Sequence, residues 1–382
     1  MADDATLSPV VDLTRALIAR RSLTPDDGGC CELLGERLAA LGFSLERIDA
    51  GGVTNLWATH GQGAPLTILA GHTDVVPPGP LEAWSSPPFE PVIRDGLLFG
   101  RGAADMKSGL AAMLCAVERL LAGGPVIGTL AFLITSDEEG AARFGTRHAV
   151  QVLQARGLRP DYAIVGEASS AAALGDRIIV GRRGSLGCNL RVLGRQGHVA
   201  YPERADNPIH RLVPALAELI ATQWDGGNAF FPPTSFQVSN LHSGTGANNV
   251  IPGSAELVFN FRYCTESSAE SLKARVHALL DRHALRYEAD WWLSGEPFLT
   301  PRGRLIAAAE AAIGEVCGRV PERFTGGGTS DARFLAPWGA ETIEIGPINE
   351  TIHKLDEHVR VADLEPLSRI HEGILRRLHR PD

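Results

Sequence analysis

Acidic and imidazole residues repeatedly end apolar runs in this chain. Leu66-Thr67-Ile68-Leu69-Ala70-Gly71 leads into His72-Thr73-Asp74, and Leu130-Ala131-Phe132-Leu133-Ile134-Thr135 into Ser136-Asp137-Glu138-Glu139-Gly140. Tyr162-Ala163-Ile164-Val165-Gly166 leads into Glu167. Short aliphatic runs of this kind read as buried strands. In an open α/β sheet the crevice beyond the carboxyl ends of the strands is where ligands bind. Three strands therefore deliver His, Asp and Glu to one edge. With Asp105 in Gly100-Arg101-Gly102-Ala103-Ala104-Asp105-Met106-Lys107, and His353 in Thr351-Ile352-His353-Lys354, the set has the ligand types of a two-zinc hydrolase centre.

The spacing suggests roles. His72 and Asp74 are two apart and face the same way on an extended segment. One division makes His72 a metal ligand and Asp74 the carboxylate that accepts its other ring N–H; an Asp that merely caps a turn fits the same spacing. Asp105 precedes a helix start, an ordinary place for Asp, but the glycines around it allow the sharp turn a bridging carboxylate needs. Glu138 and Glu139 are adjacent and point opposite ways, so one can bind metal while the other faces substrate as a base. If Asp105 is shared, His72 with Glu167 and His353 with Glu139 complete two metal sites.

These residues need a scaffold. Apolar residues recur at helical spacing over Val10–Ile18, Cys30–Leu41 and Met106–Leu121, and strands alternate with helices from Leu66 to Glu167. That pattern predicts a mostly parallel sheet flanked by helices, an α/β fold. After Ser170 the character changes. Alternating short apolar runs over Arg177–Val192 precede a helix expected over Asn207–Thr222, strands over Ser235–Asn240 and Glu256–Tyr263, and a helix over Ala269–Leu280. These suggest a compact α+β module. From Arg302 the chain is helical again, then returns to a buried strand at Glu341–Ile345. His353 follows that return and must meet residues of the first half. We therefore expect a catalytic domain split over 1–179 and 294–382, with a smaller α+β domain, 180–293, inserted.

Composition narrows the function. The chain has 382 residues, 44% of them hydrophobic, enough for more than one core. A net charge of -9 without any Lys/Arg block argues against nucleic acid. No apolar run is long enough to span a bilayer, and Met1-Ala2-Asp3-Asp4 lacks the opening of a signal peptide. Six scattered cysteines, two of them adjacent at Cys30-Cys31, suit neither a disulfide framework nor a zinc knuckle and fit a reducing cytoplasm.

Gly71-His72-Thr73-Asp74-Val75-Val76-Pro77, Gly100-Arg101-Gly102…Asp105-Met106-Lys107 and Asp137-Glu138-Glu139-Gly140 resemble the co-catalytic zinc exopeptidase family, which includes aminoacylases, carboxypeptidases and amino-acid deacylases. The resemblance runs from about Leu13 to Leu378. Gly181-Arg182-Arg183-Gly184-Ser185-Leu186, Gly197-His198-Val199-Ala200-Tyr201-Pro202, Trp291-Trp292-Leu293-Ser294-Gly295 and Gly327-Gly328-Thr329-Ser330-Asp331 narrow it to the members that remove a succinyl group from an N-succinylated diamino diacid. The resemblance implies two zinc ions per chain, with cobalt a substitute at one. Asp105 would bridge them, His72 and Glu167 would hold one, and Glu139 and His353 the other. Glu138 would be the general acid/base and Asp74 would orient His72. The inserted domain would form a homodimer in which His198 polarises the scissile carbonyl in the partner's site. Asn248 and Asn249 stand where the family has substrate or cross-subunit contacts, and Ser185 and Tyr201 lie in matching motifs. The family commonly reads Gly-Glu-Pro where this chain has Gly166-Glu167-Ala168, which removes a rigid turn and keeps the ligand.

A small substrate with carboxylates at both ends needs donors, because a buried unpaired anion is costly. Arg182 and Arg262 are the candidates, with Gly328, Thr329 and Ser330 offering backbone and hydroxyl groups. Rival readings are a deacylase for acetylated amino acids, a dipeptidase, a catalytically dead binding protein and a two-metal phosphoesterase. An intact Glu138 argues against the binder. The lack of a phosphate-binding glycine loop argues against the phosphoesterase.

Overall fold

The computed structural model describes residues 7–380; Met1–Asp4, where no leader is expected, lie outside them. The chain divides into two compact units. The first runs to Gly181 and resumes over Leu299–Phe324 and from Ser330 onward. The second comprises Arg182–Phe298 and Thr325–Thr329.

The first unit is a mixed α/β layer structure around an eight-stranded sheet. Its strand order is Ser44–Arg47, Asn55–Gln62, Gly128–Thr135, Leu66–His72, Tyr162–Val165, Glu341–Glu344, Arg177–Ile179, Glu322–Phe324. The middle four run parallel, with Ala70 opposite Leu133 on one side and Val165 on the other. Antiparallel pairs flank them, and the last strand is again parallel to its neighbour. Every residue of Leu66–His72 is buried, so both faces of the sheet must be covered. Helix Ser108–Ala122 packs on Val361–His379 and Pro9–Ile18, and Arg304–Cys317 packs on Val361–His379.

Three local features place the site. The helix expected from Met106 begins at Ser108, because Asp105 (φ -120°, ψ 96°) and Met106 (φ -132°, ψ 32°) depart from helical geometry, and the peptide bond between them is cis. Lys107, fully buried, donates to the main-chain oxygens of Leu17 and Arg20 at 2.8 Å each. Gly109 lets the helix start against the next strand end: a Cβ there would stand 1.9 Å from the Gly166 oxygen, beside Glu167.

The second unit has a four-stranded antiparallel sheet, ordered Ser235–Ser243, Ser254–Tyr263, Gly184–Leu193, Tyr287–Gly295. Burial alternates along Ser254–Tyr263, the period-two pattern of a sheet with one covered face. Helices Pro208–Ala221 and Ala269–Arg282 contribute Leu212, Ala215, Leu219, Leu272, Val276 and Leu280 to its core. Asn207 caps the first helix through the Ile209 N–H, and Ser268 and Ser271 form a reciprocal cap on the second. The first helix leaves Ile209, Val213 and Ile220 exposed, and the edge strand leaves Leu241 exposed.

Candidate metal centre

The strands of the first unit end on the site. His72 closes its strand, Glu138 and Glu139 follow Gly128–Thr135, and Glu167 follows Tyr162–Val165. His72 is buried, with Nε2 3.1 Å from Asp105 Oδ1 and 3.5 Å from Glu167 Oε1. His353 Nε2 lies 3.2 Å from Asp105 Oδ2 and 3.0 Å from Glu139 Oε1. The Asp105 carboxylate thus gives one oxygen to each histidine. Two clusters result, His72–Asp105–Glu167 and Asp105–Glu139–His353, each with its ligand atoms within 4.8 Å of one another.

This donor set fits two divalent ions. Ligand atoms about 2.0–2.2 Å from a tetrahedral ion stand about 3.4 Å from one another, close to the observed separations. Imidazole and carboxylate are ligands that zinc accepts. His72 Nδ1 lies 2.8 Å from the main-chain oxygen of Asp74. A carbonyl only accepts, so Nδ1 carries the proton and Nε2 is the atom presented to the carboxylates.

Asp74 therefore orients His72 through its main chain. Its carboxylate is 3.6 Å from the ring nitrogen and instead accepts the N–H groups of Glu138 at 3.3 Å and Glu139 at 3.2 Å. The ring proton already has its acceptor, which leaves the side chain to hold the turn carrying both glutamates.

Charge is concentrated here, on side chains that are buried or nearly so except for the half-exposed His353. Burial, together with the charge of Asp105, pushes Glu167 up to about 8. Burial also raises Glu138 well above the usual carboxylate range, with His72 opposing and Asp331 and Glu167 adding. Burial would lower the His72 imidazole, but its contacts to Asp105 and Glu167 more than reverse that. Contacts to Asp105 and Glu139 raise His353 to about 10. Asp105 is held below the ordinary range, its burial outweighed by the two histidines. Two imidazoles that would hold protons among four carboxylates form a site prepared for cations.

The other expected residues have partners of their own. Ser330, fully buried, donates its hydroxyl to Glu344. Arg182, Ser185, His198, Tyr201, Asn248, Asn249, Arg262, Gly328 and Thr329 belong to the second unit. Within it, His198 pairs with Val250, and the Val199 N–H donates to the Asn249 oxygen at 3.1 Å. The His198 and Tyr201 rings are 5.8 Å apart. His198, Tyr201, Asn248 and Asn249 thus form one exposed group. Arg262 is the strand partner of Ser185. Arg182 Nη1 donates to the oxygens of Gly326 at 3.1 Å and Gly328 at 3.3 Å.

Three residues near the site were not anticipated. Arg333 Nη2 lies 3.5 Å from Glu138 Oε1, both side chains being nearly buried. It comes three residues after Ser330, so the Gly-Thr-Ser-Asp motif pointed to its neighbourhood. Buried Glu357 and Arg101 form an ion pair at 2.8 Å. Arg101 was visible only as the residue between two glycines, and Glu357 had no signal at all.

The sequence model of peptidase family M20/M25/M40 matches residues 68–377. A succinyl-diaminopimelate desuccinylase from Alkalilimnicola ehrlichii is 60% identical over 373 residues, covering 97% of this chain and all of that protein. One from an Azoarcus species is 59% identical over 372 residues, covering 97% and 98%. Among solved structures, an M20 family metallo-carboxypeptidase from Sulfolobus solfataricus superposes with a TM-score of 0.83 at 16% identity, covering 97% of this chain and 99% of that one. The chain belongs to peptidase family M20/M25/M40 and is a metal-dependent hydrolase.

Proposed function

We propose that the chain hydrolyses the amide of N-succinyl-LL-2,6-diaminopimelate, releasing succinate and LL-2,6-diaminopimelate in the route to lysine and diaminopimelate. The observation that carries this reading is near full-length identity of about 60% to proteins of that named activity, together with a donor set that suits two cations.

The ions are zinc, with cobalt a substitute at one site. When bound, such a pair would supply Lewis acidity for activating a water and polarising the amide carbonyl. Asp105 would be shared, His72 and Glu167 would hold one ion, and Glu139 and His353 the other. Glu138 takes the proton of the attacking water as the C–O bond forms. It returns that proton to the leaving nitrogen as the C–N bond breaks. Its buried setting suits this task, because a side chain only 10% exposed keeps the proton from bulk solvent between the two steps. Arg333 faces Glu138, with Nη2 3.5 Å from Oε1, and favours the charged form of the carboxylate.

His198 is assigned to polarise the carbonyl in the partner's site, within a homodimer formed by the inserted domain. The exposed Ile209, Val213 and Ile220 on one helix, and Leu241 on an edge strand, support a surface that a second copy covers. Arg182 and Arg262 are assigned to the substrate carboxylates, with Ser185, Tyr201, Asn248, Asn249, Gly328 and Thr329 as further contacts. Ser330, its hydroxyl committed to Glu344, is left to act through its main chain. Among the described residues no helix is long and apolar enough to cross a membrane; a cytoplasmic location is part of the proposal.

A substrate panel tests the reading. Release of succinate from N-succinyl-LL-2,6-diaminopimelate should exceed turnover of N-acetylornithine and of simple dipeptides by orders of magnitude. A preference for the acetyl substrate or for dipeptides would overturn it.

A further inference from the structure

The Glu357 carboxylate is 1% exposed and touches no ligand atom, yet it is saturated with donors. Oε2 accepts from Arg101 Nη1 at 2.8 Å and from the Gly102 N–H at 2.9 Å. Oε1 accepts from the N–H groups of Ala104 at 2.8 Å and Asp105 at 3.0 Å. The main-chain oxygen of Glu357 accepts from the Gly100 N–H at 2.9 Å. Arg101 Nη1 also donates to the Lys354 oxygen at 3.1 Å. One buried ion pair thus fastens residues 100–105, which end in the shared carboxylate, to residues 354–357, which adjoin His353.

Both segments need fastening. Gly102 has φ +83°, and a Cβ there would stand 2.6 Å from Val75 Cγ1. His353 (φ +60°) and Asp356 (φ +54°) are non-glycine residues in the left-handed region, which L side chains resist. Such conformations persist where the surroundings dictate them. The ligands differ in how they are held. His72 and Glu167 stand at the ends of adjacent parallel strands, and Glu139 follows a third. His353 lies outside any strand or helix.

We propose that Glu357, with Arg101, is a positioning residue that sets Asp105 and His353 relative to each other and so fixes the affinity of the Asp105–Glu139–His353 site for its cation. This rests on the two-metal reading above. It assigns that site an energetic dependence on a residue that binds no metal, while the His72–Glu167 side depends on it only through Asp105.

The test is stepwise zinc binding to the metal-free full chain, measured by competition with a chromogenic chelator. The step removed by His353→Ala identifies the second site. Glu357→Gln places an amide group against N–H donors, and it should weaken that same step at least 10-fold while the other step changes less. Glu357→Asp and Arg101→Lys, which keep the charges, should show the same selectivity with smaller losses, so the test survives misfolding of the first variant. The cobalt-loaded variants should show an altered visible spectrum for that site. Unchanged zinc steps in all three variants overturn the proposal. So does equal loss of both steps in parallel with a lowered melting temperature, which marks a merely structural pair. A wild-type chain that binds no zinc overturns the two-metal reading itself, and the proposal with it.

Discussion

The carboxylate of Asp74 accepts the main-chain N–H of Glu138 at 3.3 Å. The aspartate two residues after His72, a proposed metal ligand, therefore also fixes the main chain of Glu138, the proposed general base. Its second oxygen takes the Glu139 N–H, while the histidine proton goes to its main-chain oxygen.

Asp74→Asn should separate these duties. The amide group would face an N–H donor, and the turn carrying Glu138 would shift. We expect kcat to fall roughly 10–100-fold, the usual effect of losing an outer partner of a metal site. Zinc affinity at the His72–Glu167 site should stay near wild type, since the main-chain acceptor remains. Chelator competition and steady-state kinetics on the same preparation check both. A large loss of zinc there with kcat preserved would show that the carboxylate orients the imidazole after all.

Glu138→Gln and Glu139→Gln should differ in kind, although the residues are neighbours. Glu138→Gln cannot take a proton and should lose roughly 10²–10⁴-fold in kcat with both zinc ions retained. Glu139→Gln removes a ligand and should lose zinc. Metal content beside kcat distinguishes them, and near wild-type turnover in Glu138→Gln would remove it as the base.

His371 makes a separate prediction about acid. It is fully buried, and burial pushes its pKa down to about 4 against the opposing Ile345 main chain. Above about 6.5 the imidazole is neutral in both folded and unfolded chains. As the pH falls from there toward 4, the unfolded chain takes up a proton that the folded one refuses. The fold should lose up to about 3 kcal/mol over that window. His371→Leu removes this term. Urea unfolding of the two proteins at several pH values should show their stability difference moving in favour of the variant as the pH falls. A difference that stays constant between pH 7.5 and 4.5 would contradict the assignment.

Much of the centre was legible because strand ends advertise themselves. His72, Glu138, Glu139 and Glu167 each follow a short apolar run that reads as a buried strand, and the sheet carries them to one edge. Asp105 was readable as a residue type at a glycine-rich turn. Its geometry was not, since helical spacing from Met106 hides the two non-helical residues at the start. The hydroxyl of Ser330 looked available for substrate, whereas the structure gives it to Glu344, a partner set by chain packing. Glu357 stayed invisible for the same reason: its partners lie about 250 residues away, and no local pattern records such a contact. Residues of the inserted unit were proposed only by resemblance to family motifs, since exposed loops such as Gly197–Pro202 carry no periodicity.

The most direct measurement is succinate release from N-succinyl-LL-2,6-diaminopimelate during zinc titration of the metal-free enzyme. The shared Asp105 carboxylate and the two clusters around it predict no turnover without metal and activity that rises until two equivalents per chain are bound. Full turnover in rigorously metal-free protein, or saturation at one equivalent with no further change, would contradict a two-metal centre bridged by Asp105.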